Sequence, residues 1–225
     1  QDILKDFVLE IPTEEEIESR EPETETETET EQETETETET ETDSEEEATE
    51  KAADKKSGKV PETVEEMLAE MTVEEKAAQL FMVTPEALTE SGRVTAAGEA
   101  TEKALEKYPV GGLVYFSENF VNPEQTREMT KNVQGYAKEI SGVPLFLATD
   151  EEGGRVARIG ENSAFGVEHV KDMASIGETG DVKEAYQAGK TIGKYLWDLG
   201  INVDFAPVAD VLTNPENTVI GSRSF

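Results

Sequence analysis

Residues 150–158 read DEEGGRVAR and follow the apolar run VPLFLAT (143–149) without a break. A carboxylate that ends a buried strand, as Asp150 would, stands at the mouth of the sheet. There it can accept two hydrogen bonds from vicinal hydroxyls, a geometry that suits a hexose. Gly153 and Gly154 permit a tight turn and a close approach of backbone to ligand. Arg158, and far along the chain Arg223 in VIGSRSF (219–225), can each donate several hydrogen bonds to hydroxyls or a carbonyl. Taken alone, DEEGGR also reads as a turn of solvated charge. Its acids are not spaced as an EF-hand loop, which argues against calcium. Neither GG pair (111–112 and 153–154) fits G-x-G-x-x-G, and no cofactor is implied. His169, unpaired in a polar stretch, reads as a surface residue and Trp197 as helix packing. Asp204 and Asp210, at a strand end, read as structural acids that orient their neighbours.

The elements that must position these groups alternate. PETVEEMLAEM places Val64, Met67, Leu68 and Met71 on one helical face, an ordinary core pattern. Thr72 with Glu75 then makes a capping box for a second short helix. A helix over 101–109 stops at Pro109, and VGGLVYF (110–116) reads as a buried strand. Asn122, Pro123 and Gln125 supply an N-cap, a proline at the first helical position and a capping partner. Met129, Val133, Tyr136, Ala137 and Ile140 then share a face. VPLFLAT is almost wholly apolar, as expected of a parallel strand covered on both sides. A third helix runs from an Asp181 cap to Gly200, and INVDFAPVADV (201–211) is the next strand. Alternating buried strands and amphipathic helices predict a parallel α/β sheet, either open and doubly wound or closed into a barrel. In both, polar residues at the C-terminal strand ends form the functional edge.

Composition divides the chain near residue 58. Residues 1–58 hold 24 acids against 5 bases, and the rest of the chain 28 against 15. The centre of this tail, ETETETETEQETETETETET, buries nothing apolar in any strand register and stacks like charges. It is expected to be a disordered linker extended by self-repulsion. The short apolar patch DILKDFVLEI (2–11) precedes it. A formal net charge of −32 argues against nucleic acid or an anionic membrane surface as partner. No apolar run approaches the roughly 18 residues that span a bilayer, and the absence of cysteine excludes disulfides and thiolate metal sites.

PVGGLVYFSENFVNPEQTREMTKNVQ, PLFLATDEEGGRVARIG, LGINVDFAPVADV and VIGSRSF occur in this order and spacing. Together they resemble the N-terminal domain of glycoside hydrolase family 3, in its β-N-acetylglucosaminidase (β-N-acetylhexosaminidase) branch. The resemblance covers about residues 61–225, and D-x-E-G-G-R-V-x-R favours this branch over the family's β-glucosidases. It implies the N-terminal part of a (β/α)8 TIM-type barrel over 59–225. It also implies exo-acting, retaining removal of terminal β-linked N-acetylglucosamine from peptidoglycan fragments or chitooligosaccharides. Asp150 would bind hydroxyls at the non-reducing end of the sugar, Arg158 would help hold Asp150 and the sugar, and Arg223 would add a substrate contact. The partner is thus a β-GlcNAc-terminated glycan. The acidic tail would serve as a spacer from a cell-envelope tether, which would put the protein outside the cell or on its surface, with the cytoplasm as the alternative. Alternatives are a family 3 β-glucosidase or β-xylosidase, and a catalytically silent glycan-binding surface module.

The family's aspartate nucleophile, its His–Asp acid/base pair and its K-H-x-P-G-H-G-like segment have no counterpart in residues 1–225. Neither Asp204 nor Asp210 matches the nucleophile's motif. A complete barrel takes about 250 residues, against roughly 165 from Pro61 on. An unclosed portion exposes an edge strand and an apolar inner face. Expressed alone, residues 1–225 are therefore expected to be poorly soluble or oligomeric and to show no glycosidase turnover. Light scattering and a chromogenic β-GlcNAc assay check this, and a monodisperse, active monomer would refute it.

Overall fold

A computed structural model describes residues 63–225; the acidic tail (1–58) and the apolar patch within it lie outside the described residues. The chain divides after Glu70, so that helix α1 (Val64–Glu70) belongs to the first unit and everything from Met71 to the second. The core face expected of Val64, Met67 and Leu68 is not realised. No residue of α1 is buried, and Val64 is 63% exposed. Seven residues make two turns, too short a ridge to enforce a packing of its own.

The second unit starts on the capping box read from the sequence. Thr72 Oγ1 accepts from Glu75 N (3.1 Å) and the Glu75 carboxylate accepts from Thr72 N (2.9 Å), opening α2 (Val73–Ala78). There follow β1 (Met82–Val83), α3 (Pro85–Thr89), α4 (Glu99–Lys107), β2 (Gly112–Val114) and α5 (Pro123–Ile140). Then come β3 (Phe146–Thr149), β4 (Glu151–Gly153), β5 (Val156–Ala157), α6 (Met173–Gly177), α7 (Val182–Asp198) and β6 (Val203–Asp204). Short 3₁₀ turns sit at Ser117–Asn119 and Gly221–Arg223.

Strands β1, β2, β3 and β6 form one parallel sheet in that order, with Leu113 opposite Leu147 and Thr149 opposite Asp204. Each crossover carries helices, and each new strand is added on the same side as the last. A doubly wound sheet reverses direction near its first strands. Four strands laid down in chain order without reversal are instead the winding of a barrel wall. That settles the alternative the periodicity left open.

Period-2 alternation sorts the two faces. Leu113, Tyr115, Leu147 and Thr149, all at 1% exposure or less, share the covered face. Helix α5 supplies Met129, Val133 and Ala137 to the core and α7 supplies Ala188, Ile192, Tyr195 and Leu196. The two helices are tied where Thr130 Oγ1 donates to Leu199 O at 2.8 Å. At the N-cap of α5 Asn122 Oδ1 accepts from Gln125 N, as expected, while Gln125 Oε1 reaches one residue further back, to Val121 N. Strand entry is fixed by amides: Gln134 both donates to and accepts from Leu145, and Asn202 Oδ1 accepts from Leu147 N.

Two expectations need correction. Trp197 does not pack; it is 75% exposed. It follows Leu196 by one residue, about 100° round the helix from the buried stripe, and shares the open side with Gly193. The strand expected over 201–211 is confined to Val203–Asp204. Beyond it only Val208 bridges, to Ser224, and residues 209–219 are exposed.

The first glycine pair is a packing device. A Cβ on Gly111 would fall 2.0 Å from the carbonyl oxygen of Gln79. Gly111→Ala is therefore expected to destabilise by about 1–3 kcal/mol, seen as a lower urea midpoint. Gly135, exposed on α5 with nothing within 4 Å of its would-be Cβ, supplies the opposite sign. Gly135→Ala should stabilise by about 0.5–1 kcal/mol.

Candidate functional site

The C-terminal ends of β2, β3 and β6 converge on the stretch that follows β3. The loop after β2 is set by Asn119, fully buried, whose amide oxygen accepts from Phe116 N (2.8 Å). Its amide nitrogen donates to Glu86 Oε1 and Val94 O. Phe116 is thereby fixed beside the end of β3.

Successive residues from Asp150 take different partners. Asp150 Oδ2 accepts from Arg158 Nη2 at 3.0 Å, with both side chains about a quarter exposed. The Arg158 guanidinium lies 5.6 Å from the Phe116 ring centroid, a cation–π contact that ties it to the loop after β2. Its Nε is buried without a hydrogen-bond partner among the described residues. Glu151 turns the other way and is completely buried. Its carboxylate accepts from Ile159 N (2.9 Å), Gly160 N (2.7 Å) and the Tyr195 hydroxyl (2.7 Å), while its own N–H donates to Asp204 Oδ1 (2.9 Å). Glu152, 5% exposed, meets Arg223 in a bidentate pair at 2.7 and 2.8 Å.

Gly153 (φ 82°) and Gly154 (φ 53°) turn the chain between β4 and β5, and both need the left-handed region. A Cβ on Gly153 would also stand 2.5 Å from Lys171 O, so the hairpin lies tightly on the segment 170–172, where Gly154 N donates to Val170 O.

Electrostatics follows burial. The ion pair with Glu152 raises the Arg223 guanidinium still further above its ordinary value. Burial chiefly, then the Glu151 carboxylate, pushes the Tyr195 hydroxyl well up, so it stays a donor. Asp204 is pushed up to about 7 by burial, the Glu151 N–H opposing, with the neighbouring carboxylates of Glu151, Asp150 and Glu152 adding to the rise.

Of the residues singled out from sequence, Asp150 and Arg158 are thus in direct contact, and Arg223 is placed on Glu152 rather than on Asp150. His169 is exposed, as read; Asp204 accepts from Glu151 N at the end of β6, and Asp210 is exposed beyond that strand. Sequence reasoning passed over Glu151, Glu152 and Tyr195. The signal for the first two was present: alternation after a strand sends Asp150 and Glu152 to one face and Glu151 to the other.

Residues 72–225 match the Glycosyl hydrolase family 3 N terminal domain. The chain belongs to this family. The family's N-terminal domain is a TIM-barrel-like α/β fold, in keeping with the unreversed parallel sheet. Beta-hexosaminidase A of Pseudoalteromonas piscicida is 44% identical over 126 residues, 54% of this chain and 20% of that protein. A beta-hexosaminidase of Haemophilus influenzae is 34% identical over 128 residues, 56% of this chain and 35% of its own length. The glycoside hydrolase family 3 beta-N-acetylglucosaminidase of Paenibacillus sp. superposes with a TM-score of 0.61 at 36% identity, over 68% of this chain and 27% of that one. The NagZ of Neisseria gonorrhoeae in complex with N-trifluoroacetyl-D-glucosamine gives 0.51 at 27% identity, over 63% and 38%. The chain therefore spans a fifth to about a third of the length of these curated relatives.

The raised Asp204 has a pH consequence. Between its ordinary value of 3.8 and about 7, the folded protein holds a proton at Asp204 that the unfolded chain has released. This group's contribution to stability is present below pH ~4 and is lost as pH rises through ~7. Asp204→Asn keeps an acceptor for Glu151 N–H and removes the titration. Urea unfolding of the variant at several pH values should show a shallower decline in stability from pH 4 to 7. An unchanged slope would show that Asp204 does not titrate there.

Proposed function

We propose that the protein carrying this domain is a retaining exo-β-N-acetylglucosaminidase and that these residues form the recognition floor for its terminal sugar. The observation that carries the reading is the Asp150–Arg158 pair at the C-terminal end of β3, braced by Phe116 and left about a quarter open. Arg158 occupies one lone-pair site of the Asp150 carboxylate. The remaining sites can accept two hydroxyls of a hexose, and the guanidinium has further N–H groups to donate to the same sugar. The relatives named above, beta-hexosaminidases and beta-N-acetylglucosaminidases, support the class of reaction, and one of them is seen with a glucosamine derivative.

Binding at this floor acts at a distance from the bond that breaks. Hydrogen bonds to hydroxyls at the non-reducing end hold the ring while its anomeric carbon reacts, so they lower the barrier to the extent that they tighten in the oxocarbenium-like transition state. On this reading the nucleophile and the acid/base group come from outside residues 1–225. The glycans are peptidoglycan fragments or chitooligosaccharides. The enzyme works outside the cell or on its surface, with the acidic tail as spacer from an envelope tether.

The full-length protein should hydrolyse a chromogenic β-GlcNAc glycoside in preference to the β-glucoside. Asp150→Ala should lower kcat/KM for the former about 100-fold, or ~2.7 kcal/mol. Preference for the β-glucoside would move the protein to the family's glucosidases. GlcNAc binding without turnover would make it a glycan-binding module, and unchanged kinetics in the variant would take Asp150 out of the pocket.

A further inference from the structure

The segment that delivers Arg223 has little to hold it. From Phe205 to Ile220 it contributes no helix and no strand longer than the Val208–Ser224 bridge, and residues 209–219 are exposed. Its last turn is built on local bonds: Gly221 N donates to Asn217 O, Arg223 N to Ile220 O, and Ile220 N to Asn217 Oδ1. A turn of this kind aims consecutive carbonyls at one point, as at the end of a helix, with lone pairs left for a further donor.

Arg155 fills that point. Its Nη2 donates to the carbonyl oxygens of Thr218 and Ile220, each at 3.1 Å, and to that of Val219 between them. The same group lies 3.9 Å from where a Cβ on Gly221 would stand, so the turn closes around it. Arg155 follows the double glycine whose positive φ angles reverse the hairpin. It is three residues from Glu152, which holds the Arg223 side chain. The hairpin therefore grips the segment twice, by its carbonyls through Arg155 and by its arginine through Glu152.

We propose that Arg155 is a positioning residue for the sugar site: it acts through Arg223, by clamping the carbonyls of residues 218–220 so that the Glu152–Arg223 pair forms at the edge of the pocket. The role of Arg223 in sugar binding rests on the functional reading above; the clamp does not. Two measurements on the full-length protein separate them.

The first is amide hydrogen exchange. Arg155→Ala should speed exchange of amides 220–224 about tenfold while leaving Leu147 and Ala148 of β3 unchanged. Unchanged exchange at 220–224, or an equal rise throughout the domain, overturns the clamp whatever the activity. The second is a double-mutant cycle with a β-GlcNAc glycoside. Arg155→Ala should lower kcat/KM about tenfold, chiefly through KM, with partial recovery in Arg155→Lys. Arg155→Ala/Arg223→Ala should be no worse than Arg223→Ala alone, because a residue that acts only through another adds nothing once that other is gone. Additive losses would overturn the assignment to Arg223. A parent protein inactive on β-GlcNAc glycosides would overturn the functional reading, and exchange would still decide the clamp. Should Arg155→Ala fail to fold, Arg155→Lys carries the same exchange comparison, with a smaller increase expected.

Discussion

A carboxylate with no exposure must find its donors inside the protein, and the site is organised around the way Glu151 does so. Two come from the backbone of residues 159 and 160 and one from the Tyr195 hydroxyl on α7. Removing one partner of a buried charge typically costs about 3–5 kcal/mol, far more than an exposed pair contributes. The hairpin that leaves β3 is therefore compelled to return past Glu151, and α7 is compelled to lie where Tyr195 can reach it. The Glu151 N–H, bonded to Asp204, adds the end of β6 to the same knot. Once these four pieces are fixed, Asp150 and Arg158 have one way to meet.

The three adjacent acids divide the work because a strand alternates its side chains. Glu151 goes into the body of the domain and holds the scaffold, whereas Asp150 and Glu152 each take an arginine. Those two pairs are not equivalent. Glu152 meets Arg223 through both oxygens and is nearly buried. Asp150 receives a single bond from Arg158 and remains partly open, which leaves it acceptor capacity for a ligand. The run of negative charge on which a solvated turn was the plain reading is a structural acid flanked by one closed and one open ion pair.

Much of this was legible in the sequence where local rules operate. The Thr72–Glu75 box, the Asn122 cap and the buried stripe of α5 depend on residues within a turn or two of each other, and they stand as read. The Asp150–Arg158 contact spans a hairpin of eight residues and was also within reach. What failed depends on partners distant in sequence. Trp197 was assigned to packing by its place in the helix, but the direction it faces is set by which stripe of α7 meets α5. Tyr195 was passed over, and its hydroxyl matters only because Glu151 arrives from 44 residues earlier. The segment from 205 to 211 read as strand, but no partner strand pairs with it beyond the Val208–Ser224 bridge, a matter of tertiary placement that local pattern does not announce.

The same alternation explains why the two faces of the sheet look so different. The face bearing Leu113 and Leu147 is covered by helices and has no exposure. The face bearing Gly112 and Phe146 carries an aromatic ring that is 61% exposed. In a closed barrel such a face is the interior, filled by layers of side chains contributed from around the ring. Phe116 and Asp150 have the parity of Phe146 and stand beyond it at the C-terminal strand ends. On the reading proposed above, the sugar-binding groups lie on that parity, with the apolar layer of Phe146 beneath them. On the same reading, a sugar held by Asp150 and Arg158 would rest on the apolar layer that the barrel's own packing builds.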